Sequence, residues 1–276
     1  MTLSSIELTQ YCERIGFSGV LRPTLETLQT LHRLHPLALT FENLDSWQGH
    51  APDISPDTVF NKLVLQKRGG YCFEQNGLFA RVLEAVGYQV YGVSARVLWN
   101  QPPEARPPRT HQALVVSLKG QDWLADVGFG GLTPLGPIRL VAERQQATPL
   151  ESLRLRASGA GLVLEVLLPQ GARPMYWFHP EAALPADFIQ SNWFVGAHPS
   201  SRFVQHLITT CVRPDGATGF SRHNLIDREY TVYRAGHPPL TQRIASADAL
   251  RALLANEFAL PVDTIPDLPQ RLATLF

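Results

Sequence analysis

Cys72 stands in the stretch RGGYCFEQN (68–76), directly before a run in which Leu78, Phe79, Val82, Leu83 and Val86 fall on one face of a 3.6-residue helix. Gly87 suits the end of that helix. A thiol at a helix N-terminus meets the positive end of the peptide dipoles and unpaired backbone N–H groups, and both favour the nucleophilic thiolate. Gly69 and Gly70 let the chain turn sharply and let another molecule come close. A thiolate nucleophile needs a base to hold and move its proton, and that base needs an orienting partner. His111 and Asp126 follow in that order and have the right types for the two roles. N–H groups at the start of the cysteine helix would stabilise an oxyanion. Together these residues suit acyl chemistry through a cysteine.

Elements of the right kind surround them. HQALVVSL (111–118), a short turn and DWLADV (122–127) predict a β-hairpin. With Lys119–Gly120 as a two-residue turn, Ala113 pairs with Asp126 and His111 lies on the diagonal beside it, on the same face. An odd turn would put His111 and Asp126 on opposite faces. Upstream, Leu25, Leu28, Leu31 and Leu34 recur near helical spacing after Thr24, a candidate N-cap. Ser55–Pro56 opens a second helix with Val59, Phe60, Leu63 and Val64 on its apolar face, and Lys67 and Arg68 near its end. After Gly87 the period changes: Tyr91, Val93, Ala95, Val97 and Trp99 alternate as a strand. A loop with Pro102, Pro103, Pro107 and Pro108 follows. LRLRAS and LVLEVLLP predict another hairpin, 203–212 and 230–233 further strands, and 246–258 an amphipathic helix.

The 276 residues are 45% apolar and 17% charged, a globular composition. Lys plus Arg and Asp plus Glu are 24 each, so there is no footprint for nucleic acid or an anionic membrane. No apolar run has the length of a membrane span. The opening MTLSSIELTQYCERIGF lacks a basic stretch followed by an apolar core. Cys12, Cys72 and Cys211 form no disulfide framework or C-x-x-C pair, which suits a reducing cytoplasm, and the nine scattered histidines give no metal motif. Cytoplasmic residence and no metal are expected.

RGGYCFEQN, PRTHQALVV (108–116) and ADVGFGG (125–131) together resemble the arylamine N-acetyltransferase family. FENLD (41–45), NWF (192–194) and HPSSRFVQHL (198–207) extend the resemblance over most of the chain. It implies an α+β fold of three regions: an N-terminal helical bundle (1–90) carrying Cys72, a central β-barrel-like domain (91–195) carrying His111 and Asp126, and a C-terminal α/β lid (196–276). The implied reaction is ping-pong acetyl transfer from acetyl-CoA, through acetylated Cys72, to small aromatic amines or hydrazines. By motif position Phe41, Val97, Phe129 and Phe203 would line the acceptor pocket, and Gly128, Gly130 and Gly131 would admit the coenzyme. Glu42 and Arg68 form either a buried ion pair or a surface acid and a helix-end arginine, and Gln75 is assigned no role. The rivals are a papain-like or transglutaminase-like hydrolase of the same residue order, and a non-catalytic binder of aromatic ligands or proteins.

Overall fold

Capping side chains decide where the N-terminal helices begin. Ser4 and Glu7 cap each other and start α1 (Ser5–Ile15), which Gly16 closes at φ 70°. Thr24 accepts the Thr27 N–H and starts α2 (Leu25–Ala38), as the leucine spacing predicts. In the computed structural model, which describes residues 2–217 and 219–276, the chain continues through β1 (Phe41–Glu42), α3 (Leu44–Trp47) and α4 (Pro56–Phe60). A π-helical turn over Asn61–Leu65 leads to α5 (Cys72–Val86), and Gly87 ends it with φ 102°.

Eight antiparallel strands follow: β2 (Gln89–Val97), β3 (Arg109–Leu118), β4 (Gln121–Ala125), β5 (Ile138–Arg139), β6 (Gln145–Ala147), β7 (Ser152–Ser158), β8 (Gly161–Leu168) and β9 (Gly171–Phe178). Their order is β5-β4-β3-β2-β9-β8-β7-β6, so β2 pairs with β9 and the meander curls back on itself as a nearly closed barrel. Where β5 meets β6, the Gln146 amide takes the place of a backbone neighbour. Its oxygen accepts the Arg139 N–H at 2.8 Å and its nitrogen donates to the Arg139 carbonyl at 2.9 Å. Both predicted hairpins form with two-residue turns, Leu118 opposite Gln121 and Ser158 opposite Gly161.

The C-terminal part comprises α6 (Pro185–Ala197), α7 (Arg202–Gln205), β10 (Ile208–Asp215), β11 (Gly219–Ile226), β12 (Glu229–Arg234), β13 (Leu240–Arg243), α8 (Ala247–Asn256) and α9 (Leu268–Ala273). The stretch 203–212 is therefore not one strand. Ser201 accepts the Phe203 N–H and winds the chain into α7, and the strand begins only at Ile208. β1 joins β10–β13 in a five-stranded sheet, Phe41 opposite Thr210. The N-terminal third thus reaches into the C-terminal sheet.

Strand β3 explains why HQALVVSL is almost uniformly apolar. Ala113 and Val115 face the barrel interior with Leu155, Leu164 and Met175, while Leu114 and Val116 pack against the helices with Leu78 and Val82. Among the described residues no helix is long and apolar enough to cross a membrane.

Candidate active site

Cys72 is the first residue of α5 and is 4% exposed. Charged side chains tie down the turn before it. The Glu74 carboxylate takes the Tyr71 N–H at 3.0 Å and the Lys62 ammonium at 2.6 Å. Lys62 also binds Asp45 at 2.6 Å, and Arg68 spans Asp45 and Glu42 at 2.7 and 2.9 Å. Of the two readings open for Glu42 and Arg68, the buried ion pair is the one that forms. Burial opposes charge on Asp45, but Lys62 and Arg68 outweigh it and hold the carboxyl down at about 2. On Glu74 burial wins over Lys62, and its pKa is raised. The glycines serve the chain's own close approach: a Cβ on Gly69 would lie 2.2 Å from the Thr40 carbonyl oxygen, and one on Gly70 2.7 Å from Glu74.

The hairpin brings the other two residues together. His111 Nε2 lies 2.7 Å from Asp126 Oδ2, with the two side chains 3% and 1% exposed. Asn76, one turn along α5 from Cys72, donates to Asp126 Oδ1 at 2.9 Å and to the Gln112 carbonyl, and accepts the Val127 N–H. The Gly128 N–H also reaches Asp126 Oδ1 at 2.9 Å. Cys72 Sγ lies 3.8 Å from the Thr110 carbonyl oxygen. Burial works against a charged His111, yet the Asp126 charge and hydrogen bond, with Cys72 as a further hydrogen-bond partner, raise it to about 10. Asp126 is correspondingly lowered: burial would raise it, and His111, Asn76 and Gly128 overcome that.

Around this pair, the His111 ring sits 4.9 Å from Tyr176 and 5.3 Å edge-on from Phe129. Phe41 and Cys72 belong to one buried cluster with Phe73 and Phe188, and Phe203 packs on it with its ring 6.0 Å from Phe41. Val97 lies opposite Tyr176, two residues along β2 from Ala95, which is opposite His111. Gly130, at φ 85°, and Gly131 run between the Phe41 ring and Asn224, whereas Gly128 packs against the α5 first turn, where a Cβ would be 3.0 Å from Cys72 Cα. A cavity of about 680 Å³ opens beside the site, lined among others by Ser94, Arg109, Thr110, Asp187 and Phe194. Among the described residues no group of three His, Cys, Asp or Glu gathers to hold a metal.

A family model described as N-acetyltransferase matches residues 24–267. An arylamine N-acetyltransferase of Mycobacterium tuberculosis is 38% identical over 267 residues, 95% of this chain and 92% of the relative. One from Escherichia coli is 37% identical, over 93% of this chain and 89% of the relative. The structure of the Mycobacterium marinum arylamine N-acetyltransferase in complex with CoA superimposes with a TM-score of 0.90, at 37% identity and 97% of each chain. The chain belongs to the arylamine N-acetyltransferase family.

In this arylamine N-acetyltransferase the motif residues are held by others that sequence reasoning did not single out. Asn76 carried a usable signal, since it lies four residues after Cys72 on the same helix face. Gln75 donates to the Thr40 and Gly70 carbonyls and accepts from His35 at 2.7 Å. His32 meets the Asp126 backbone N–H at 3.1 Å. Nothing in the leucine-rich pattern of α2 marks its histidines, because only tertiary packing brings them beneath the site. The other two thiols are buried away from the site, and burial raises Cys12 and raises Cys211 to about 12, which disfavours their thiolates.

Proposed function

We propose that Cys72, His111 and Asp126 carry a two-step acetyl transfer from acetyl-CoA to small aromatic amines and hydrazines, with acetyl-Cys72 between the steps. The observation that carries this reading is the 2.7 Å contact of His111 Nε2 with Asp126 beside a cysteine at the first position of a helix. Asp126 occupies Nε2, so Nδ1 is the nitrogen left to exchange a proton with the thiol. Cys72, as thiolate, attacks the thioester carbonyl. The first-turn N–H groups of α5 receive the developing negative charge, and the coenzyme thiolate leaves and takes the proton of the His111 imidazolium, which leaves His111 neutral for the second step. The amine nitrogen then attacks the acetyl carbon, His111 accepts the proton it sheds, and Cys72 leaves as thiolate. Thioester exchange between thiols is nearly isoenergetic, which suits a reversible acetyl carrier. Aromatic amines are largely neutral at pH 7 and arrive as free nucleophiles.

The relatives' names support the acceptor class, and the relative crystallised with CoA supports the donor. Phe41, Val97, Phe129 and Phe203 would contact the acceptor ring. Gly130 and Gly131 fit the donor: Asn224 Oδ1 beside them is buried without a protein partner among the described residues, and an N–H of the coenzyme's amide arm would satisfy it. Gly128 serves by packing against the cysteine turn. In this reading residues 1–90 deliver the nucleophile, 91–195 the base and its carboxylate, and 196–276 close over the cleft. Three unpaired thiols suit cytoplasmic residence.

Intact-protein mass tests the scheme. Acetyl-CoA alone should add one acetyl group to Cys72, and an aromatic amine or hydrazine should remove it. Cys72→Ala should lose both steps. Transfer by Cys72→Ala, or no adduct on folded protein whose thiol still alkylates, overturns the reading.

A further inference from the structure

Two histidines on α2 lie behind the site, outside the transfer chemistry just described. Both are 0% exposed. His35 has both ring nitrogens engaged. The Gln75 amide gives its N–H groups to the carbonyls of Thr40 and Gly70, so its oxygen faces His35 Nε2, which donates, and His35 Nδ1 accepts from the Tyr11 hydroxyl at 2.8 Å. His32 is arranged differently. Its Nε2 accepts the Asp126 backbone N–H, which puts the lone pair at Nε2 and the proton at Nδ1. Nδ1 has no protein partner among the described residues, so the hydrogen bond at Nε2 to the Asp126 N–H is the one that ties the ring to the site. The Phe79 ring, 5.8 Å away and edge-on, holds the imidazole plane.

We propose that His32 is a positioning residue for acetyl transfer: by accepting the Asp126 N–H it sets the backbone from which the Asp126 carboxylate reaches His111. The proposal rests on the Cys72–His111–Asp126 reading above. Asp126 lies one residue beyond Ala125, where the ladder between β3 and β4 ends. Its N–H is buried and needs an acceptor that the sheet no longer supplies. The carboxylate cannot be that acceptor, since Oδ1 already takes Asn76 and Gly128 and Oδ2 takes His111. His32 thus fixes the main chain of the residue whose side chain orients the base. Burial keeps His32 neutral, lowered to about 4 against the pull of the Asp126 charge, so its lone pair is present at working pH.

The test compares His32→Gln with His32→Asn. The glutamine amide oxygen reaches the position of Nε2 and can still accept the Asp126 N–H, whereas the asparagine amide stops at the position of Nδ1. Two readouts are taken: kcat and KM for acetyl transfer, and the pH dependence of Cys72 alkylation by iodoacetamide. His32→Gln should stay within about threefold of wild type, and His32→Asn should lose roughly 10- to 100-fold in kcat, with KM for the amine little changed and the alkylation profile displaced. Equal losses in both variants, or an unaltered alkylation profile in His32→Asn, overturn the proposal, because a merely structural polar group would tolerate either amide. Should His32→Asn fail to fold, His32→Gln decides: a wild-type alkylation profile supports the assignment and a displaced one overturns it. Alkylation needs no acetyl-CoA, so a wild-type protein that failed to acetylate would sink the proposed function and leave this test standing.

Discussion

On the helical side of the site His32 and His35 are sealed from water and pushed down to about 4 and about 3, while on the barrel side His111, just as inaccessible, is held at about 10. Burial disfavours the charged ring in all three. His35 meets a phenol and an amide, and His32 meets a backbone N–H with the Asp126 charge too weakly coupled to prevail. His111 touches the carboxylate itself. One carboxylate in contact therefore separates a ring that holds its proton tightly from two rings that shed theirs, and burial alone decides nothing about which is which.

Removing that carboxylate should break the contrast with the largest effect. Asp126→Asn should lower acetyl transfer by about 10⁴-fold, as losing the orienting acid of a nucleophile–His–acid site does, and in NMR titration His111 should fall to or below its ordinary range. The pH dependence of stability follows with its sign. His32 and His35 bind fewer protons folded than unfolded, so stability falls as pH drops from about 6.5 through 4 towards 3; His111 binds its proton more tightly when folded, so stability falls as pH rises from about 6.5 towards 10. Urea midpoints across pH should trace both limbs in wild type, and Asp126→Asn should lose the alkaline one while keeping the acid one.

Charge can also be left stranded instead of neutralised. Lys62→Met leaves Glu74 and Asp45 short of a partner and should cost about 3–5 kcal/mol in urea unfolding. Gln75→Leu strips the His35 N–H and two carbonyls of their amide, a loss of roughly 1–3 kcal/mol that the same titration measures. Arg156→Ala removes a part-exposed arginine from Glu165, a buried carboxylate that keeps Arg154, and should change stability by less than about 1 kcal/mol. A large loss there, or none at Lys62, would contradict the ranking by burial.

What the sequence disclosed and what it withheld divide along these lines. Cys72, the α5 apolar face, Gly87 and the even turn at Lys119–Gly120 are local patterns, and each appears in the structure where the pattern puts it. The turn's parity even predicts that His111 and Asp126 share a face. By contrast β11 contains Ser221, Arg222 and Asn224, polar residues for which the sequence pattern predicts no element; in the structure Arg222 donates to the Thr133 carbonyl and pairs with Glu151 across to the barrel. Lys67 and Arg68 read as helix-end charges; the residue that enters the buried network with Arg68 is Lys62, hidden in a π-helical turn. The struts from α2 leave no trace in the chain, because their partners are 40 and 94 positions away.

The Gln146 amide at the junction of β5 and β6 has one more consequence. A barrel whose seam is stitched partly by a side chain can come unstitched there without breaking its continuous ladders, since a Gln146 rotamer change frees the Arg139 N–H while the Arg139 carbonyl keeps the Val141 N–H. Hydrogen–deuterium exchange should find the Arg139 amide far ahead of those of β3 and β8, making this seam the place where the barrel breathes and the first to yield when it is unzipped.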